Sequence, residues 1–361
     1  FFSLLSKSHA EVLITDYAAA VRRLFLLGLS AAGLIMTTTG IVNMLHWIMI
    51  RLEPAMAIGN FGDVGLAREA ARLIVGLPLW ILPWRHTQAL LAHPNPSERQ
   101  SAMHKLYLGL IVLIATLSTI TNAALILTGF IRSMLGLQSK GDGRLSLAMM
   151  LGMGLIWGYH AVALRNYEHL SEDATRQTAI QRLYLYLVAG IGLAAFLAGL
   201  GGEIGVLIQL VSGQGFGNAL REQLSWASAT MLAGLPVWLI PWRRAQIIAL
   251  ASDTAGEWER RSLVRRIYLY LFLLLATITV LVSTVFIVSQ LIELLVRAGE
   301  TESLTYRLAH AIAFSLIAVG VWIYHSTALR GDRQIRKAIH KTRIRDMKLV
   351  VVDDGDGHIG R

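Results

Sequence analysis

Four histidines in apolar surroundings are the residues of this sequence whose chemistry most needs a reason. His160 and His325 stand in matching stretches, Trp157-Gly-Tyr-His160 and Trp322-Ile-Tyr-His325, while His46 and His310 lie toward the opposite ends of their segments. Two layers of facing imidazoles form a ligand set for two b-type haems, each ring held by an acceptor on its second nitrogen. Histidine at a membrane interface is the plainer reading.

Two pairs of prolines carry a second kind of chemistry. Pro78 with Pro83, and Pro236 with Pro241, each remove a backbone N–H and free the carbonyl four residues earlier, at Ile74, Leu79, Leu232 and Val237. In a bilayer such carbonyls turn to neighbours, water or a ligand, so two symmetric breaks outline an ion or substrate path; a packing kink is the alternative. Arg72 belongs to the same path. It is the one cation expected at membrane depth, about 20 Å along a helix from Arg85, with Glu69 one turn away as its partner. Snorkelling to the outer surface competes with that role.

A third candidate lies at the end of the chain, where Lys348-Leu-Val-Val-Val352 reads as a strand and Gly355, Gly357 and Gly360 follow in the pattern G-x-G-x-x-G. Glycines there let a backbone approach the pyrophosphate of an NAD-type nucleotide. The expectation is the first strand of a cytoplasmic Rossmann-like domain beyond Arg361, against a polar tail or another α/β domain. The chain has no Cys, which removes disulfides, thiolate metal sites and cysteine nucleophiles. No Ser-His-Asp set, phosphate loop or metalloprotease motif falls in the apolar segments, so an enzyme is not expected.

The elements that would position these residues are membrane helices. Hydrophobic residues make up 55% of the chain and charged residues 16%, outside the range of soluble domains. Stretches long enough to cross a bilayer lie near 24–50, 70–85, 106–131, 145–164, 183–210, 223–242, 267–292 and 308–329. The segments then assigned to the cytoplasm hold 24 of the 33 basic residues, and the acidic residues divide 14 to 9 the same way, so the whole net charge of +10 lies inside. Both termini are thereby expected in the cytoplasm of a bacterial inner membrane. Residues 1–23 read as an amphipathic lead-in rather than a signal peptide, 166–182 as a linker and 331–361 as a basic tail. That tail is expected to meet anionic lipid, not nucleic acid.

The strongest signal is repetition. Gly76-Leu-Pro-Leu-Trp-Ile-Leu-Pro-Trp-Arg85 returns as Gly234-Leu-Pro-Val-Trp-Leu-Ile-Pro-Trp-Arg243, and Trp157–Arg165 returns as Trp322–Arg330. The odd helices share a basic-apolar-aromatic entry at Arg23, Lys105, Arg182 and Arg266. The chain therefore reads as an all-α integral membrane protein of eight spans, two tandem parallel four-helix repeats over 24–165 and 183–330. Trp80, Trp84, Trp238 and Trp242, close to Arg85 and Arg243, read as an interfacial aromatic belt with Tyr107, Tyr184, Tyr186, Tyr268 and Tyr270.

The sequence resembles a bacterial multi-pass membrane family known as domain of unknown function 5671. Tyr184-Leu-Tyr-Leu, Tyr268-Leu-Tyr-Leu, both Gly-Leu-Pro-x-Trp blocks and both Trp-x-Tyr-His stretches carry the resemblance. It implies the fold and no activity. The leading functional expectation is a non-enzymatic scaffold, sensor or anchor for cytoplasmic domains, with protein partners or a homo-oligomer. A channel or transporter, gated by a nucleotide-binding domain, and a haem or quinone subunit of an electron-transfer complex are the alternatives.

Overall fold

The computed structural model describes residues 2–52, 63–92, 102–170, 174–296 and 302–346. Every described element is helical. In chain order these are α1 (Phe2–Arg51), α2 (Asp63–Ala92), α3 (Ala102–Met134), α4 (Gly143–Leu170), α5 (Ala174–Val211), α6 (Asn218–Leu250), the short α7 (Thr254–Arg261), α8 (Leu263–Val296) and α9 (Glu302–Asp346). Among the described residues seven helices, all the long ones except α2, are long and apolar enough to cross a membrane. Large apolar side chains such as Leu24, Ile74, Leu155, Leu281 and Val285 point outward, more greasy surface than a protein in water exposes.

The chain forms two compact units, Phe1–Ile240 and Pro241–Arg361. In the first, α1 packs along α2 and α4, α3 packs on α4, and α5 touches α3. Without a hydrophobic drive between helices in lipid, close association depends on small residues that let backbones meet. Gly33 meets the Leu79–Trp80 peptide: a Cβ on Gly33 would lie 2.3 Å from the Trp80 nitrogen. One on Gly76 would lie 2.9 Å from the Thr37 nitrogen. Gly40 sits as closely on Leu73 and the Glu69 carbonyl.

The crossing of α5 and α6 uses corresponding residues. Cβ atoms on Gly192, Gly199 and Gly234 would lie 2.4 Å from Trp238 N, 2.4 Å from Met231 N and 2.5 Å from Phe196 N. Thr37 and Thr38 return their hydroxyls to the carbonyls of Gly33 and Leu34 at 2.8 and 2.7 Å, which lets polar side chains stay buried in an apolar bundle.

The proline helices are not broken. Both α2 and α6 run as single helices through their two prolines. Pro78 and Pro236 face outward, Pro83 and Pro241 inward. The carbonyls freed by the inward prolines belong to Leu79 and Val237, the residues pressed against Gly33 and Gly192.

In the second unit α8 packs against α9. Asp253 caps α7 by accepting from the Gly256 N–H at 2.8 Å. Arg265, fully buried, grips Asp332 of α9 with two charge-assisted bonds of 2.7 and 3.0 Å, donates to Gln246 at 2.9 Å and lies over the Trp242 ring.

Candidate functional site

Each unit holds a buried aromatic cluster, about His160 in the first and His325 in the second. In the first, the Trp84 indole donates to the Tyr159 hydroxyl at 2.8 Å and stacks on His104, with ring centroids 5.5 Å apart. His160 lies parallel to Trp80 at 5.8 Å and edge-on to Tyr159 at 5.1 Å. Its Nδ1 donates to the Ile156 carbonyl at 2.9 Å, which fixes the ring, and its buried Nε2 meets no partner among the described residues. Ser30 joins the cluster through Tyr107 at 2.9 Å.

The second unit repeats the pattern with the corresponding side chains. Trp242 donates to Tyr324, and His325 donates from Nδ1 to the Val321 carbonyl at 2.8 Å with its Nε2 likewise buried and unpartnered. Tyr268 and Phe272 complete the ring packing, and Arg265 takes the place that His104 holds in the first unit. Trp84 and Trp242 are thus almost wholly enclosed by protein. The interfacial belt expected for these indoles does not hold for them. The Trp84 ring faces inward onto His104 and Tyr107 of α3 and Tyr159 and His160 of α4, and the Trp242 ring onto Tyr268 of α8 and Tyr324 and His325 of α9.

The four histidines do not meet within either unit. His46 bonds Asp142 at the start of α4, whereas His160 lies about 25 Å further along that helix. His310 donates from Nδ1 to the Tyr306 carbonyl at 3.0 Å and stands about 22 Å along α9 from His325. The pairs that a haem would need join residues of different units. Gly355, Gly357 and Gly360 lie outside the described residues.

Where the helices diverge at the other end of the first unit, a cleft of about 250 Å³ opens between α1, α2 and α4. Asn43, His46, Trp47, Arg68 and Glu69 line it together with apolar Met44, Leu66 and Leu145. Arg72 reaches Glu69 as the spacing on one helix face implies, with Nη1 at 2.8 Å from both carboxylate oxygens. Arg68 donates to the same carboxylate at 3.3 Å, and Asn43 bonds it from α1. Beside the cleft, His46 donates to Asp142 at 2.6 Å. Partial burial pushes the Asp142 carboxyl up, but the bonds from His46 and from the Arg144 N–H outweigh that and hold it below the ordinary carboxylate range.

The sequence singled out His46 as a haem ligand and Arg72 with Glu69 as its partner, and it did not single out Asn43, Trp47, Arg68 or Asp142. One signal for them was available: at corresponding places in the second stretch that the family matches stand Gly202, Val206, Trp226 and Arg307. Glu69 itself is matched by Ala227, His46 by Gly205 and Arg72 by Thr230. Polar residues that break a repeat point to a site the repeat itself does not need.

Helices of this length and apolarity, with greasy side chains turned outward and polar groups gathered inside, define a multi-pass helical membrane protein. The chain belongs to the family described as Domain of unknown function (DUF5671), which matches it twice, over residues 23–159 and 182–320. No curated protein matches the chain. No solved structure matches it either.

Proposed function

We propose that the chain is a non-enzymatic membrane module that senses or scaffolds, with its receptive site in the first repeat and both termini in the cytoplasm of a bacterial inner membrane. Eight spans arranged as two same-sense four-helix repeats underlie this reading. The matching Gly33/Trp80 and Gly192/Trp238 contacts favour it, as does the double match to one family. In this arrangement α2 is a span whose charges, Arg68, Glu69 and Arg72, gather in its first turns at the outer edge, where Glu69 pairs with both arginines. Basic cytoplasmic segments meet anionic lipid.

The observation that carries the functional reading is asymmetry on a common frame: Glu69, Arg72, His46 and Asn43 line or brace a cleft in one repeat, and Ala227, Thr230, Gly205 and Gly202 stand in their places in the other. A scaffold that recurs while its polar site does not is a frame with one receptor. Transport through the proline positions is disfavoured, because the Leu79 and Val237 peptides already lie on Gly33 and Gly192. The full chain in liposomes is expected to leave proton, K⁺ and small-anion permeability at the level of empty vesicles. Flux above that level, lost on Pro83→Ala with Pro241→Ala, would replace the sensor with a channel.

A further inference from the structure

The Glu69 cleft is filled with hydrogen bonds of one polarity, and that polarity identifies what it takes. Its carboxylate acceptors are already occupied. Both Glu69 oxygens receive Arg72, and Arg68 and Asn43 add further bonds. Asp142 receives His46 on one oxygen and the Arg144 N–H on the other at 3.0 Å. A cation entering the cleft would have to displace an arginine or a histidine from each carboxylate.

What remains open is donors. The Trp47 indole nitrogen is buried at the cleft with no partner among the described residues. Arg68 spends its Nε on Glu69, and its side chain is 68% exposed, so the rest of its guanidinium is accessible to a ligand at the cleft it lines. Glu69 acts as a positioning residue that fixes Arg68 and Arg72. Met44, Leu66 and Leu145 line the same cleft with apolar surface.

Resting on the reading of the first repeat as the receptive half, we infer that the cleft between α1, α2 and α4 binds the anionic head of an amphiphile, a carboxylate or phosphate carried on an apolar body. The head group accepts from Trp47 Nε1 and the Arg68 guanidinium, and the first carbons of the body lie on Met44, Leu66 and Leu145. The volume of about 250 Å³ suits a head and a short length of chain. The second repeat cannot do the same, since Val206, Trp226 and Ala227 replace Trp47, Arg68 and Glu69.

The test is calorimetric titration of the full chain in neutral phosphatidylcholine nanodiscs with octanoate, octanol and inorganic phosphate. One saturable octanoate site is expected, with octanol and phosphate each at least tenfold weaker. Arg68→Gln and Trp47→Phe should each weaken octanoate at least tenfold. Arg68→Lys should lose less than Arg68→Gln, and Arg85→Gln, at the other end of α2, should change nothing. Melting of each unliganded variant at the wild-type temperature shows that it is folded. Adding phosphatidylglycerol to the nanodisc separates the sources: competition with octanoate identifies a membrane lipid as the occupant, and absence of competition a soluble acid. Equal affinity for octanol and octanoate, binding indifferent to Arg68→Gln and Trp47→Phe, or no saturable site would each overturn the inference. Those results leave the sensor reading untouched, whereas liposome flux would remove the sensor reading and leave the anion site standing.

Discussion

The indole of Trp84 donates to the hydroxyl of Tyr159 across the α2–α4 contact. Tyr159 is half exposed while Trp84 is enclosed, so the bond satisfies a donor that has no access to water. Tyr159→Phe is expected to cost about 1–3 kcal/mol, the penalty of orphaning a buried donor. Thermal melting in detergent measures it. Adding Trp84→Phe to Tyr159→Phe should cost less than the sum of the two single changes, because the second removes the donor that the first left stranded. Strict additivity would show that the bond contributes nothing.

Gly33 and Gly192 hold corresponding helix crossings, and a methyl group on either would overlap backbone rather than a movable side chain. Gly33→Ala and Gly192→Ala should each destabilise the chain by about 1–3 kcal/mol or more, as overpacking does. Gly28 on the same helix α1 has open space around its Cβ position. Gly28→Ala should therefore melt at or slightly above the wild-type temperature, and equal losses at Gly28 and Gly33 would contradict the crossing.

The Arg265 guanidinium has no exposure and relies on Asp332 for its counter-charge. Asp332→Asn should cost about 3–5 kcal/mol, since it removes the carboxylate that the buried guanidinium holds with two bonds. Arg261, exposed and paired with Glu257 one turn away at 2.8 Å, gives the contrast. Arg261→Ala should stay within about 0.5 kcal/mol. Chemical denaturation of the two variants side by side separates the cases.

Asp142 is held below the ordinary carboxylate range in the fold, after the upward push of burial is outweighed by the bonds from His46 and the Arg144 N–H. A carboxyl depressed on folding adds stability that is fully present above its unfolded pKa of about 3.9 and is lost as pH falls through the lower folded value. Acid melting curves should therefore be less steep for Asp142→Asn than for the wild type below about pH 4. Parallel curves would mean the His46 contact does not hold Asp142 in solution.

Much of the fold was legible because lipid imposes long apolar runs and because the same residues occur twice along the chain, as at Trp84/Trp242 and His160/His325. Glu69 with Arg72 was legible for a local reason, three residues on one helix. The direction of the tryptophans was not. An indole one residue from Arg85 fits a lipid belt or a core equally well, and the choice is made by partners on other helices, His104 and Tyr107 of α3 and Tyr159 and His160 of α4. Gly33 with Gly40, and Gly192 with Gly199, were nevertheless readable as small residues on one helix face. The bonds of His46 to Asp142 and of Asn43 to Glu69 join distant parts of the chain, so no spacing announces them.

With no native Cys, single cysteines at Leu52, Ser139, Ser212 and Ser252 can be probed in intact cells with a membrane-impermeant maleimide. Leu52 follows α1 and Ser212 follows α5, the first helices of the two proposed repeats. The result expected is labelling of Leu52→Cys, Ser139→Cys and Ser212→Cys from outside, with Ser252→Cys reacting only after permeabilisation. Leu52→Cys and Ser212→Cys on opposite sides of the membrane would contradict two four-helix units inserted in the same sense.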